Sequence, residues 1–158
     1  MKKILAVLLA SVMVLGMTAC GGKEESSAPS TVGGILLEDF KSDASGSAQE
    51  IADRVITNEI IPFGGASMPV EEGFLMGFDN AEITGFEEAV MFAPMMGTIP
   101  FVGYIFDLED GADTDAFMQT LKDSANLRWN ICTEAEELTV DSEGDKVFFL
   151  MSPKTFEE

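Results

Sequence analysis

The residues of this chain best equipped for chemistry are acidic. Asp107, Glu109, Asp110, Asp113 and Asp115 stand close together in the sequence. A hard cation such as calcium takes several carboxylate and carbonyl oxygens converging on one point, and this run is where the chain could supply them. The spacing departs from the EF-hand loop, because Gly111 is misplaced and no Glu closes the motif. The competing reading is a solvated loop whose acids complement the N-terminus of the helix that follows. Glu87 with Glu88, and Glu134 with Glu136, are close enough in sequence for the two-carboxylate chemistry of a glycosidase. One Trp and one Tyr are few for a sugar cleft. A small carboxylate-dependent surface hydrolase is therefore the alternative reading, and a non-catalytic role without cofactor or resident metal is the expectation. Histidine is absent, so His-based triads and zinc sites are excluded, and no Walker loop is present. Without a basic neighbour to lower its pKa, Cys132 is expected to be a small buried apolar residue beside Trp129, Ile131 and Leu138, not a nucleophile.

A second cysteine carries a different chemistry. Lys2 and Lys3 precede an apolar run from Ile4 to Met17, closed by the small residues Thr18 and Ala19. The run falls short of the roughly 20 residues needed to span a bilayer, so it reads as a cleaved export signal over residues 1–19. Met17-Thr18-Ala19-Cys20-Gly21 resembles a bacterial lipobox, with Met where Leu is usual. That resemblance implies that Cys20 becomes the diacylglyceryl-modified N-terminus, anchoring the protein to the extracytoplasmic face of the cell membrane. Two acyl chains hold stably where one holds marginally. With Cys20 lipidated, Cys132 has no intrachain partner.

The anchor would receive no help from the protein surface. The chain carries a net charge of −19, and loss of Lys2 and Lys3 leaves 7 basic against 28 acidic residues, a net −21. Such a surface repels nucleic acid and anionic lipid and favours a basic partner, so nucleic-acid binding is not expected.

The elements that must position these residues follow a flexible tether. Residues 20–34 are rich in Gly, Ser, Glu and Pro and read as linker, leaving 35–158 as one small domain without internal repeats. Ser47 and Glu50 form a capping box for a helix from Ala48 to Asn58, with Ile51, Val55 and Ile56 on one face. Ile60 to Gly77 is broken by Pro62, Gly64, Gly65 and Pro69, which predicts loops with a short helical turn near Glu71–Met76. Gly85–Phe92 predicts a strand, Met95-Met96-Gly97 a turn, and the apolar run Ile99–Phe106 a central strand covered on both faces. A second helix over Asp115–Asn126, capped by Asp113 or Thr114, presents Phe117 and Leu121 to the core. Glu137–Val140 and Lys146–Met151 flank a hairpin turn at Gly144. The order predicts an α+β domain, an antiparallel sheet of about four strands with helices packed against it.

Met91, Met95 and Met96 stand beside Phe92, Phe101 and Phe106. These residues read chiefly as sheet core, with Met95 and Met96 at the tip least suited to burial and available for apolar contact with a protein or small-molecule ligand.

Glu71-Glu72-Gly73-Phe74-Leu75-Met76-Gly77-Phe78-Asp79, running into Glu87-Glu88-Ala89-Val90-Met91-Phe92-Ala93-Pro94-Met95-Met96 and the strand Val102–Leu108, resembles an uncharacterised lipoprotein domain family of Gram-positive anaerobes. The resemblance covers residues 51–152 and rests on pattern, not on an invariant motif. It implies a lipid-anchored α+β domain and supplies no catalytic residues. Ile99-Pro100-Phe101 departs from it, being more apolar than the turn expected there.

Overall fold

A computed structural model describes residues 29–156; Cys20 and the export signal lie outside the described residues. The chain forms α1 (Val32–Ser42), α2 (Ala48–Ile56), β1 (Gly65–Val70), β2 (Gly73–Phe74), β3 (Glu82–Ile83), β4 (Phe86–Pro94), β5 (Val102–Leu108), α3 (Thr114–Ser124), β6 (Glu137–Glu143) and β7 (Lys146–Ser152). Five strands make one antiparallel sheet in the order β1-β4-β5-β7-β6, and β2 pairs with β3 in a small separate ribbon. The domain is α+β, as its sequence predicts, with five strands in the main sheet instead of about four.

β5 is the middle strand and β7 lies beside it, both buried along nearly their whole length. Their side chains alternate between two cores, one on each face of the sheet. Val90, Phe92, Phe101, Ile105, Phe148 and Leu150 meet α1 and α2. Ala89, Tyr104, Phe106, Val147, Phe149 and Met151 meet α3 and the segments around Phe78 and Leu127. Each core gathers buried side chains from both the sheet and the helices of the described residues.

The helices form for local reasons that packing then reinforces. In α2, the Ser47 side chain accepts from Glu50 N while the Glu50 carboxylate accepts from Ser47 N, and Ile51, Ala52, Val55 and Ile56 are buried. Asp113 caps α3 by accepting from Ala116 N at 3.0 Å. The β6–β7 hairpin turns through Gly144 at φ +65° and Asp145.

Three expectations are corrected. The tether does not extend to Gly34, because α1 opens at Val32: Thr31 caps it, and Val32, Leu36 and Phe40 are buried on one face. Gly33 and Gly34, read as linker, belong to its first turn. A side chain at Gly33 would collide with Thr139 and the Glu137 carboxylate. Within residues 60–77, where loops and a helical turn near Glu71–Met76 are predicted, Gly65–Val70 is strand β1 and Gly73–Phe74 is strand β2, with loops only between and around them. β1 is an edge strand, where Pro69 costs no interior ladder bond. Strand β5 begins at Val102, past Pro100, and α3 ends at Ser124.

Candidate functional site

The acidic run does not gather. Asp107, on β5, bonds Lys146 Nζ at 3.1 Å. Asp113 is spent as the α3 cap, Asp115 lies in the first helical turn, and Glu109 and Asp110 project into solvent. Among the described residues no cluster of three or more His, Cys, Asp or Glu side chains is arranged to hold a metal ion. Asp107, Glu109, Asp110, Asp113 and Asp115 are thus placed separately, as the solvated-loop and helix-cap reading has them. One of the two carboxylate pairs is engaged elsewhere. Glu134 pairs with Arg128 at 3.5 Å, and Glu136 accepts from Lys154 N at 3.0 Å. Glu87 and Glu88 lie on β4 beside the register shift between Phe86 and Glu88.

What the fold does gather is apolar. α2 packs over β1, β4 and β5 on one face of the sheet, whereas α3, on the other face, packs over β6 and β7. Among the described residues the α3 face of β1 and β4 is thus left without a helix. Ala66 and Met68 from β1, with Met91 and Ala93 from β4, floor a groove of about 770 Å³ there. Its walls are Met76, the turn carrying Met95 and Ile99, and the loop Trp129–Cys132. A second hollow of about 420 Å³ adjoins it, sharing Met95 and Ile99 and adding Met96 and Phe63. Five of the seven methionines among the described residues (Met68, Met76, Met91, Met95 and Met96) line one or the other.

The walls are fixed by polar bonds behind them. Asn130 Nδ2 donates to Gly97 O at 2.9 Å, tying the Trp129–Cys132 loop to the Met95 turn. Tyr104, buried on β5, donates its hydroxyl to Met76 O at 2.8 Å. Asp79 N donates to Ser124 O and Asn126 N to Gly77 O, stitching the Met76 segment to the end of α3.

The expected core splits here. Phe92, Phe101 and Phe106 are buried, Met91 is half-buried, and Met95 and Met96 are 74% and 81% exposed. Cys132 is exposed on the groove wall, which corrects the buried reading. Its neighbour Ile131 is 96% exposed. The loop is closed by its own turns, Trp129 N to Asn126 O and Thr133 N to Asn130 O; Trp129 packs against the edge of the second core while Ile131 and Cys132 stay outside it on the groove wall.

Burial holds the Tyr104 hydroxyl neutral well above the ordinary tyrosine value of 10.0. Burial pushes the Lys146 ammonium down, but the bond and charge of Asp107, with Asp145, outweigh it and leave its pKa above 10.5. Both groups hold protons more tightly folded than unfolded. Their stabilisation is complete below about pH 10 and is lost as pH rises beyond it, because the unfolded chain deprotonates first. Tyr104→Phe is expected to cost about 0.5–1.5 kcal/mol at neutral pH by stranding the Met76 carbonyl. It should also flatten the loss of stability between about pH 10 and 12. Urea melts across that range check both; an unchanged alkaline slope would show that Tyr104 is not the titrating group.

Comparison with protein-family models, with curated proteins and with solved structures finds no match to this chain.

Proposed function

We propose that this protein is an extracytoplasmic lipoprotein, anchored through lipid on Cys20, whose domain is a non-catalytic binding module. The observation that carries the binding reading is the Met-lined groove. Its volume falls within the range of ligand sites, and Asn130 is the lone side-chain amide on a lining that is otherwise apolar but for the Cys132 thiol. Unbranched methionines repack around occupants of different shape at little cost, which suits a binding wall better than a catalytic one. The anchor rests on the lipobox-like Met17–Gly21 and the apolar run before it.

One set of measurements tests both halves. Cys20→Ser is expected to release the protein to the medium or leave an uncleaved precursor; a variant still matured and membrane-bound would remove the anchor from the reading. Trp129 is the chain's one tryptophan and it lines the groove, so its emission reports occupancy. The neutral apolar dye N-phenylnaphthylamine should quench it saturably, and Met68→Lys with Ile131→Lys should weaken the dye about tenfold or more by putting ammonium groups into an apolar site. Dye binding unchanged by those substitutions would place the apolar site elsewhere.

A further inference from the structure

The exposed large apolar side chains among the described residues are Met68, Phe74, Met76, Met95, Met96 and Ile131. They are not scattered. Met68, Met76, Met95 and Ile131 line the groove, Met96 lines the adjoining hollow, and Phe74 lies two residues before Met76. Isolated surface hydrophobes are ordinary, but a contiguous patch of this kind marks a contact surface.

Charge selects the occupant. Among the described residues no charged side chain lines the groove. The segments that form its walls continue into exposed acids: Glu71 and Glu72 before Phe74, Asp79 after Met76, and Glu134 after Cys132. Arg128, the base in the Trp129 loop, is paired with Glu134. An apolar floor whose wall segments lead into exposed acids, on a chain of net charge −19, complements a partner that is apolar on one side and basic on the other. The same field repels fatty acids and anionic bilayers. A concave floor with adaptable methionines also fits a peptide's side chains better than it fits a flat lipid surface. Resting on the binding reading above, we infer that the groove's occupant is a cationic amphipathic peptide segment, its apolar side chains on Met68, Met91 and Trp129 and its basic side chains over the flanking acids.

The probe is a synthetic amphipathic peptide of leucine and lysine, with a leucine–glutamate peptide of the same pattern as control. The domain expressed from Gly21 onward, shown by its melt to unfold cooperatively, is titrated with each while Trp129 emission is followed. The leucine–lysine peptide should bind and the leucine–glutamate peptide should not. Met68→Lys with Ile131→Lys should weaken binding about tenfold or more, and Glu71→Lys with Glu134→Lys about three- to tenfold; all four sites are exposed, so the fold is kept. Equal binding of both peptides would overturn the charge argument. Lysine-peptide binding indifferent to Met68→Lys with Ile131→Lys would place it on the acidic surface outside the groove. Preferential capture by phosphatidylcholine vesicles would make the patch a membrane face. N-phenylnaphthylamine bound with neither peptide bound would overturn this inference and leave the binding module standing. Failure of dye and peptides alike would overturn both.

Discussion

Phe92→Ala is expected to lower the stability of the domain by about 3–5 kcal/mol, and Gly103→Ala by about 1–3 kcal/mol, with the double variant costing clearly less than the two together. Phe92 on β4 and Gly103 on β5 are direct cross-strand partners. The ring lies across the glycine, and a Cβ on residue 103 would land within its far edge. Gly103 does not have positive φ, so the backbone there tolerates any residue and the ring alone forbids a side chain. Phe92 is fully buried and packs against Phe101 at 6.0 Å and Phe148 at 6.2 Å between ring centroids, so it cannot swing aside cheaply. Once Phe92 is alanine, the methyl of residue 103 enters part of the vacated space and its cost falls. Against a total stability of about 5–15 kcal/mol, the first substitution alone brings the domain near its unfolding limit. Urea unfolding of the four chains closes the cycle. Additive costs would mean that the ring does not need the glycine.

The same pair shows where the sequence is legible. Elements signalled by neighbours along the chain can be read directly: the Ser47–Glu50 box of α2, the Asp113 cap of α3, the Gly144 turn, and the unbroken apolar run of β5. Elements whose signals are overruled by distant contacts cannot. Gly33 and Gly34 are poor helix formers, yet α1 stands because Leu36 and Phe40 enter the core and Gly33 alone fits against β6. Pro69 and Gly65 look like loop, yet an edge strand accepts the first, and Ile56 packs so near Gly65 that a Cβ would not fit. The groove is the extreme case. Whether Met68 and Ile131 are core or surface depends on which strands α3 covers, and nothing within either segment says that α3 lies over β6 and β7. Met95 and Met96 could be singled out because a turn between strands is a poor place to bury two methionines. Cys132 could not, since its apolar neighbours resemble a core segment, and it is exposed with Ile131 only because the loop closes on its own turns.

Phe117→Ala is expected to cost about 3–5 kcal/mol and, before the domain unfolds, to disturb the groove. α3 is short and holds the sheet through two buried residues, Phe117 and Leu121. Phe117 stands edge-on to Phe106 at 5.2 Å, and Phe106 stacks on Tyr104 at 5.4 Å, so its loss opens a cavity at the end of an aromatic row. An 11-residue helix is marginal in water on its own propensity, and packing is what keeps α3 in place. The helix in turn carries two of the groove walls. Its C-terminal end bonds the Gly77–Asp79 segment that follows Met76, and the chain leaves it directly into the Trp129 loop. A thermal melt should therefore fall by on the order of 10 °C. Trp129 emission in the folded baseline should shift to the red as the loop loosens, at temperatures where the sheet's circular dichroism is still native. A melt that barely moves would show that α3 does not depend on Phe117. A lowered melt with unchanged Trp129 emission would separate the two, leaving α3 packed by Phe117 but the groove walls held by the Asn130–Gly97 and Tyr104–Met76 bonds alone.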